Sequence, residues 1–85
     1  MSRRNTPNTR RQETIIKYIA QRLVDDPDAV RLVRRVEGRT VVLELSVAAE
    51  DVGRVIGKNG RVAESIRALL DVVTPEKDRV ILKIQ

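Results

Sequence analysis

The sequence predicts an α+β domain in which three helices cover one face of a three-stranded mixed sheet, in the order α-β-β-α-α-β. Three observations predict it. Apolar residues recur at spacings of three and four in two long stretches and one short one, and they alternate in the stretches between. A glycine-containing link of the hairpin kind joins the first two strand segments. Roughly thirty residues holding two helices then separate the second strand from the third, ample for a parallel crossover.

Taken in order, residues 1–11 hold Arg3, Arg4, Arg10 and Arg11, a proline and no acidic residue, and they read as a disordered basic arm. Residues 12–85 read as one domain. From Glu13 the apolar positions Ile15, Ile16, Ile19, Ala20, Leu23 and Val24 form one helical face, which Asp25-Asp26-Pro27 ends. Val30 to Val36 is the first strand, and Leu32-Val33-Arg34-Arg35-Val36 breaks its alternation, which predicts a bulge or an early exposed end. After Glu37-Gly38 the second strand alternates strictly, with Val41, Leu43, Leu45 and Val47 on one side and Val42, Glu44 and Ser46 on the other. Glu50-Asp51 suits the positive end of a short helix carrying Val52, Val55 and Ile56, and Gly57 stops it. A further helix follows with Val62, Ile66, Leu69, Leu70 and Val73 on one face, closed by Thr74-Pro75. The third strand runs from Arg79 to Ile84, with Val80, Leu82 and Ile84 inward.

Composition narrows the function. The 85 residues include 17 Lys+Arg and 12 Asp+Glu, a net charge of +5, with no Cys, no His and one aromatic residue, Tyr18. Without Cys or His there is no disulfide framework, no thiolate or imidazole metal site and no histidine base, and the dispersed carboxylates form no catalytic constellation, so the expectation is a protein that is not an enzyme and needs no cofactor. One aromatic cannot supply a row of stacking rings; Tyr18, beside Ile15 and Ile19, is expected to pack. Neither a membrane span nor a signal-peptide pattern is present, which predicts a cytoplasmic protein. The charge has two homes: +4 in residues 1–11 and +3 in residues 53–68, against −2 over residues 12–52 and zero over 69–85.

The second home contains the motif that carries chemistry. In Val55-Ile56-Gly57-Lys58-Asn59-Gly60-Arg61-Val62, two glycines three apart sit between helices, where they permit positive φ and let a sugar-phosphate backbone approach the main chain. The following helix directs its first N–H groups and its dipole at an anion over Gly60 and Arg61; Lys58 adds a mobile cation, Asn59 a hydrogen-bonding tip, and Arg54 widens the positive field. The predicted binding residues are therefore Gly57, Lys58, Asn59, Gly60, Arg61 and Arg54. Arg67 reads as a solvated helix charge, and Glu64 is spaced to pair with Arg61. Val55 and Val62 read as core before groove wall. Asp25-Asp26-Pro27-Asp28 reads as a helix-ending turn before a magnesium loop. A nucleotide-hydrolysing P-loop fails on spacing, because Val52 stands where a glycine is required and Asn59 follows the lysine.

Here the sequence resembles the KH domain, whose signature is a V-I-G-x-x-G-x-x-I run between two helices and whose G-x-x-G loop clamps about four nucleotides. The likeness spans Glu13 to Ile84, and the element order resembles the type II KH fold. A single KH domain with little attached is similar to the small bacterial RNA-binding proteins of the KhpA family. That resemblance implies sequence-tolerant binding of single-stranded RNA, a role as RNA chaperone or post-transcriptional regulator, bases held against aliphatic side chains between the loop and a neighbouring strand, and assembly as a homodimer or with a larger KH protein of the KhpB (Jag-like) type. Two alternatives stay open: a protein-interaction or dimerisation domain on a KH scaffold, motivated by Val42 on the second strand face, and a binder of single-stranded DNA.

Overall fold

The computed structural model of the chain describes residues 6–85. Its elements are α1 (Arg10–Leu23), β1 (Arg31–Glu37), β2 (Thr40–Ser46), α2 (Val52–Ile56), α3 (Arg61–Val73) and β3 (Arg79–Ile84), with single 3-10 turns at Pro27–Ala29, Ala49–Asp51 and Lys58–Gly60. The predicted order α-β-β-α-α-β is observed. In the sheet β2 lies between β1, with which it is antiparallel, and β3, with which it is parallel. The crossover through α2 and α3 makes the second pairing possible.

A central strand is covered from both sides, so Val41, Val42, Leu43 and Leu45 are all buried. Val41, Leu43 and Leu45 face the helices and join Ile16, Ala20 and Val24 of α1, Val55 of α2, Ile66 and Leu70 of α3, and Leu82 of β3 in one aliphatic core. Burial of each such side chain contributes about 1.5–3 kcal/mol. Core volume is therefore filled by aliphatic side chains alone.

Four sequence-based expectations change. First, β1 pairs with β2 residue for residue from Arg31↔Ser46 to Glu37↔Thr40, so of the two expectations for this strand the bulge is absent and the exposed end is observed, from Val33 to Glu37. Its broken alternation reflects an edge strand of which only Leu32 is even half-buried, so the remaining positions are free to be charged. Second, Val42 is 2% exposed. Its register partners are Arg35 on β1 and Ile81 on β3, and Arg35 is held on that face by ion pairs to Glu37 at 2.9 Å and Glu44 at 3.1 Å. Third, Tyr18 does not pack into the core: it is 61% exposed, with the Arg22 guanidinium carbon 5.8 Å from its ring centre.

The fourth concerns the basic arm. Residues 1–5 lie outside the described residues, but α1 already begins at Arg10 and Thr9 is buried, so the domain starts before residue 12. Thr9 Oγ1 donates to Glu13 Oε2 and accepts from Arg34 Nε at 3.0 Å, while the Arg34 guanidinium also donates to the Pro7 carbonyl at 2.9 Å. Gln12 closes the other side of this helix end by donating from Nε2 to the Val73 carbonyl and to Thr74 Oγ1, both at 3.3 Å. The start of α1 is thereby fixed to the end of α3.

Candidate nucleic-acid interface

The site is built where β2 hands the chain to α2. Asp51, 1% exposed at the start of α2, accepts the backbone N–H of Asp26 at 3.1 Å and pairs with Arg54 Nε at 3.3 Å; the Arg54 guanidinium also reaches Asp25 at 3.0 Å. These bonds fasten the turn after α1 to the short helix that presents the loop. The sequence suggests that Arg54 widens the positive field, but two carboxylates neutralise it locally. Its place is the anchoring of α2.

Gly57 ends α2 with φ +78°, and its N–H donates to the Gly53 carbonyl at 2.8 Å. A Cβ there would collide with Val62 Cγ2 and lie 2.8 Å from the Val62 nitrogen, so the chain turns back against the first turn of α3 in a way only glycine permits. Asn59 at φ +59° and Gly60 at φ +74° complete the loop in the left-handed region, which asparagine tolerates better than most side chains. A Cβ on Gly60 would meet nothing within 4 Å. The two glycines therefore differ: Gly57 makes the turn close, and Gly60 keeps its outer surface bare.

Behind Gly60, α3 begins at Arg61 with no side chain capping its N-terminus. The first N–H groups and the positive dipole end of this helix are directed at the bare face of Gly60. Lys58, Asn59 and Arg61 are exposed, and neither Lys58 nor Arg61 makes an ion pair among the described residues. Glu64 does not take up Arg61 as its spacing suggests; Ser65 Oγ instead donates to the Arg61 carbonyl at 2.9 Å. Of the six predicted binding residues, Gly57, Lys58, Asn59, Gly60 and Arg61 form one contiguous cationic turn, and Arg54 is committed elsewhere.

Val55 is fully buried and Val62 packs half-buried against the core, as their helical spacing predicts. Arg67 has a role that spacing does not show. Its Nε donates to the Leu82 carbonyl at 3.3 Å, laying a guanidinium from α3 onto β3. The bond joins residues fifteen apart on different elements, and no local pattern announces it.

A family model for the KH domain of KhpA/KhpB matches residues 13–84. Among curated relatives, the RNA-binding protein KhpA of Caldanaerobacter subterraneus subsp. tengcongensis is 49% identical over 72 residues, covering 82% of this chain and 95% of that protein. The protein of the same name from Halalkalibacterium halodurans is 42% identical over 73 residues, covering 85% and 96%, and that from Chlamydia pneumoniae is 45% identical over 71 residues, covering 81% and 90%. No solved structure gives a significant match. The matched span contains every strand, the closed glycine turn and the uncapped helix behind it, and the chain belongs to the KhpA/KhpB KH-domain family.

Proposed function

We propose that this protein binds single-stranded RNA by gripping the sugar-phosphate backbone with the turn Gly57-Lys58-Asn59-Gly60 and the first turn of α3. The observation that carries the reading is the bare, positively charged face made by Gly60, Lys58 and Arg61 over the uncapped N-terminus of a 13-residue helix. Relatives covered over nine-tenths of their length are named RNA-binding proteins. A phosphate placed there gains hydrogen bonds and charge with little desolvation of the fold. The cellular role that fits is that of an RNA chaperone or post-transcriptional regulator in the cytoplasm.

Charge reversal tests the reading. Lys58→Asp with Asn59→Asp removes one cation and adds two anions where the phosphate would sit; aspartate also tolerates the left-handed region, so the turn is kept. Affinity for a short RNA should fall at least roughly a hundredfold while thermal stability stays within a few degrees, because the charge near the site changes by three units, each worth about 1 kcal/mol or more. Unchanged affinity in the folded double variant would sink the proposal. Competition between RNA and DNA of one sequence separates the two kinds of single strand.

A second reading adds a protein partner, either another copy or a larger KH protein of the KhpB type. The buried Val42 does not motivate it, but Val72 is 80% exposed and Leu69 lies exposed near it on α3. Size-exclusion chromatography with light scattering on the wild type and on Leu69→Glu is the corresponding test: the variant should stay folded and become monomeric.

A further inference from the structure

The outward face of α1 has no part in the turn described above. It carries Arg10, Arg11, Lys17 and Arg22 with Tyr18 among them, all exposed, and no acidic residue. The one carboxylate of the helix, Glu13, is occupied by the Thr9 hydroxyl and lies 3.8 Å from Arg34 Nε. None of the four cations makes an ion pair among the described residues. Helix stability accounts for Arg22, which lies in the last turn, but not for Arg10 and Arg11. Arg10 and Arg11 occupy the first turn, where the helix dipole opposes positive charge. Tyr18 also departs from the expected place of a lone aromatic: its ring is open to solvent on one side and attended by Arg22 on the other.

The position of this face relative to the loop matters. Leu23 and Ile19, at the end of α1, line the same depression of about 360 Å³ as Arg61 and Val62. The start of α1 is tied to the end of α3 through Gln12 and Val73, so the two helices run antiparallel. The cationic face therefore leads away from the glycine turn for the length of α1, ~21 Å at 1.5 Å per residue.

We propose that the outward face of α1 is a second RNA-binding surface, on which the strand leaving the glycine turn lays its phosphates along Arg22, Lys17, Arg11 and Arg10 and stacks one base on Tyr18. This rests on the RNA-binding reading of the loop and extends it. At about 3.4 Å per stacked nucleotide, the helix accommodates about six more than the loop takes. An aromatic with a guanidinium beside it is a sequence-tolerant platform for a base. A uniformly cationic face fits a polyanion and disfavours a basic or apolar partner.

Fluorescence anisotropy on the full chain tests this, with uridine oligomers of roughly four and roughly twelve nucleotides titrated across a range of salt. The variant Arg10→Gln/Arg11→Gln/Lys17→Gln sheds two charges that oppose the helix dipole and one that is exposed mid-helix, so it keeps its fold. It should bind the short oligomer as the wild type does, bind the long one at least roughly tenfold more weakly, and show a log-log salt slope shallower by about 2, since each phosphate left unneutralised takes away roughly 0.7. Tyr18→Leu, an independent variant, should weaken only the long oligomer, by roughly fivefold or more. Two outcomes overturn the proposal: long-oligomer affinity and salt slope that match the wild type in the triple variant, or a stoichiometry of one long oligomer to two chains, since a second loop in a dimer would then supply the preference. Failure of the loop reading looks different, because Lys58→Asp/Asn59→Asp would then leave binding of the short oligomer unchanged.

Discussion

Gly57 and Gly60 both hold a positive φ, but they do different things, and the difference is measurable. At Gly57 a methyl group meets the Val62 side chain and nitrogen well inside van der Waals distance, and the backbone is also strained. Gly57→Ala should therefore destabilise the fold by about 3 kcal/mol, since overpacking and a positive φ act together. At Gly60 only the φ cost applies, so Gly60→Ala should cost about 1 kcal/mol in urea denaturation while weakening RNA binding more than that figure implies. Equal destabilisation by the two substitutions would contradict the geometry. The spacing of the two glycines is legible in the sequence, but their division of labour is not, because it depends on where Val62 comes to rest.

The elements are most legible where periodicity is driven by the core. β2 alternates because Val41, Leu43 and Leu45 face the helices while Glu44 and Ser46 lie on the other face, and α3 shows its stripe because Ile66 and Leu70 reach the same aliphatic core. Partners distant in sequence leave no signal. The beginning of α1 is polar and arginine-rich, and what fixes it is Thr9 meeting Arg34, 25 positions away. Arg54 has one partner at legible spacing, Asp51 three residues away, and a second, Asp25, 29 residues back, which no local pattern announces. The Asp51 cluster makes a prediction at this scale. Asp51→Ala leaves the Asp26 N–H without its acceptor and releases Arg54, so it should lower stability by about 2 kcal/mol in chemical denaturation. RNA affinity of the folded variant should change far less than in the loop variant, because Arg54, freed from Asp51, keeps its pair with Asp25. A gain of affinity in the folded variant would return Arg54 to the binding surface, because a guanidinium freed from Asp51 would then be available to phosphate.

For the whole molecule, the net charge of +5 is less informative than its distribution over the fold. Two basic surfaces, the glycine turn and the outer face of α1, carry cations without ion pairs among the described residues, while Glu13, Asp25, Glu37, Glu44 and Asp51 are occupied in pairs with Arg34, Arg35 and Arg54. The arginines at positions 10 and 11 belong to the folded domain rather than to an appendage, which truncation can test. A chain starting at residue 12 should melt several degrees below one starting at residue 6, since it lacks Thr9 and the first turn of α1, whose loss costs about 1–2 kcal/mol. Coincident melting curves would place the domain boundary at residue 12 after all. The central claim is that RNA is held at the glycine turn, and amide chemical shifts on titration with a four-nucleotide RNA test it most directly. The account predicts that the largest shifts fall on the backbone amides of Gly57 to Ala63. Shifts confined to the sheet face around Val33 and Ile81, with the turn unmoved, would contradict it.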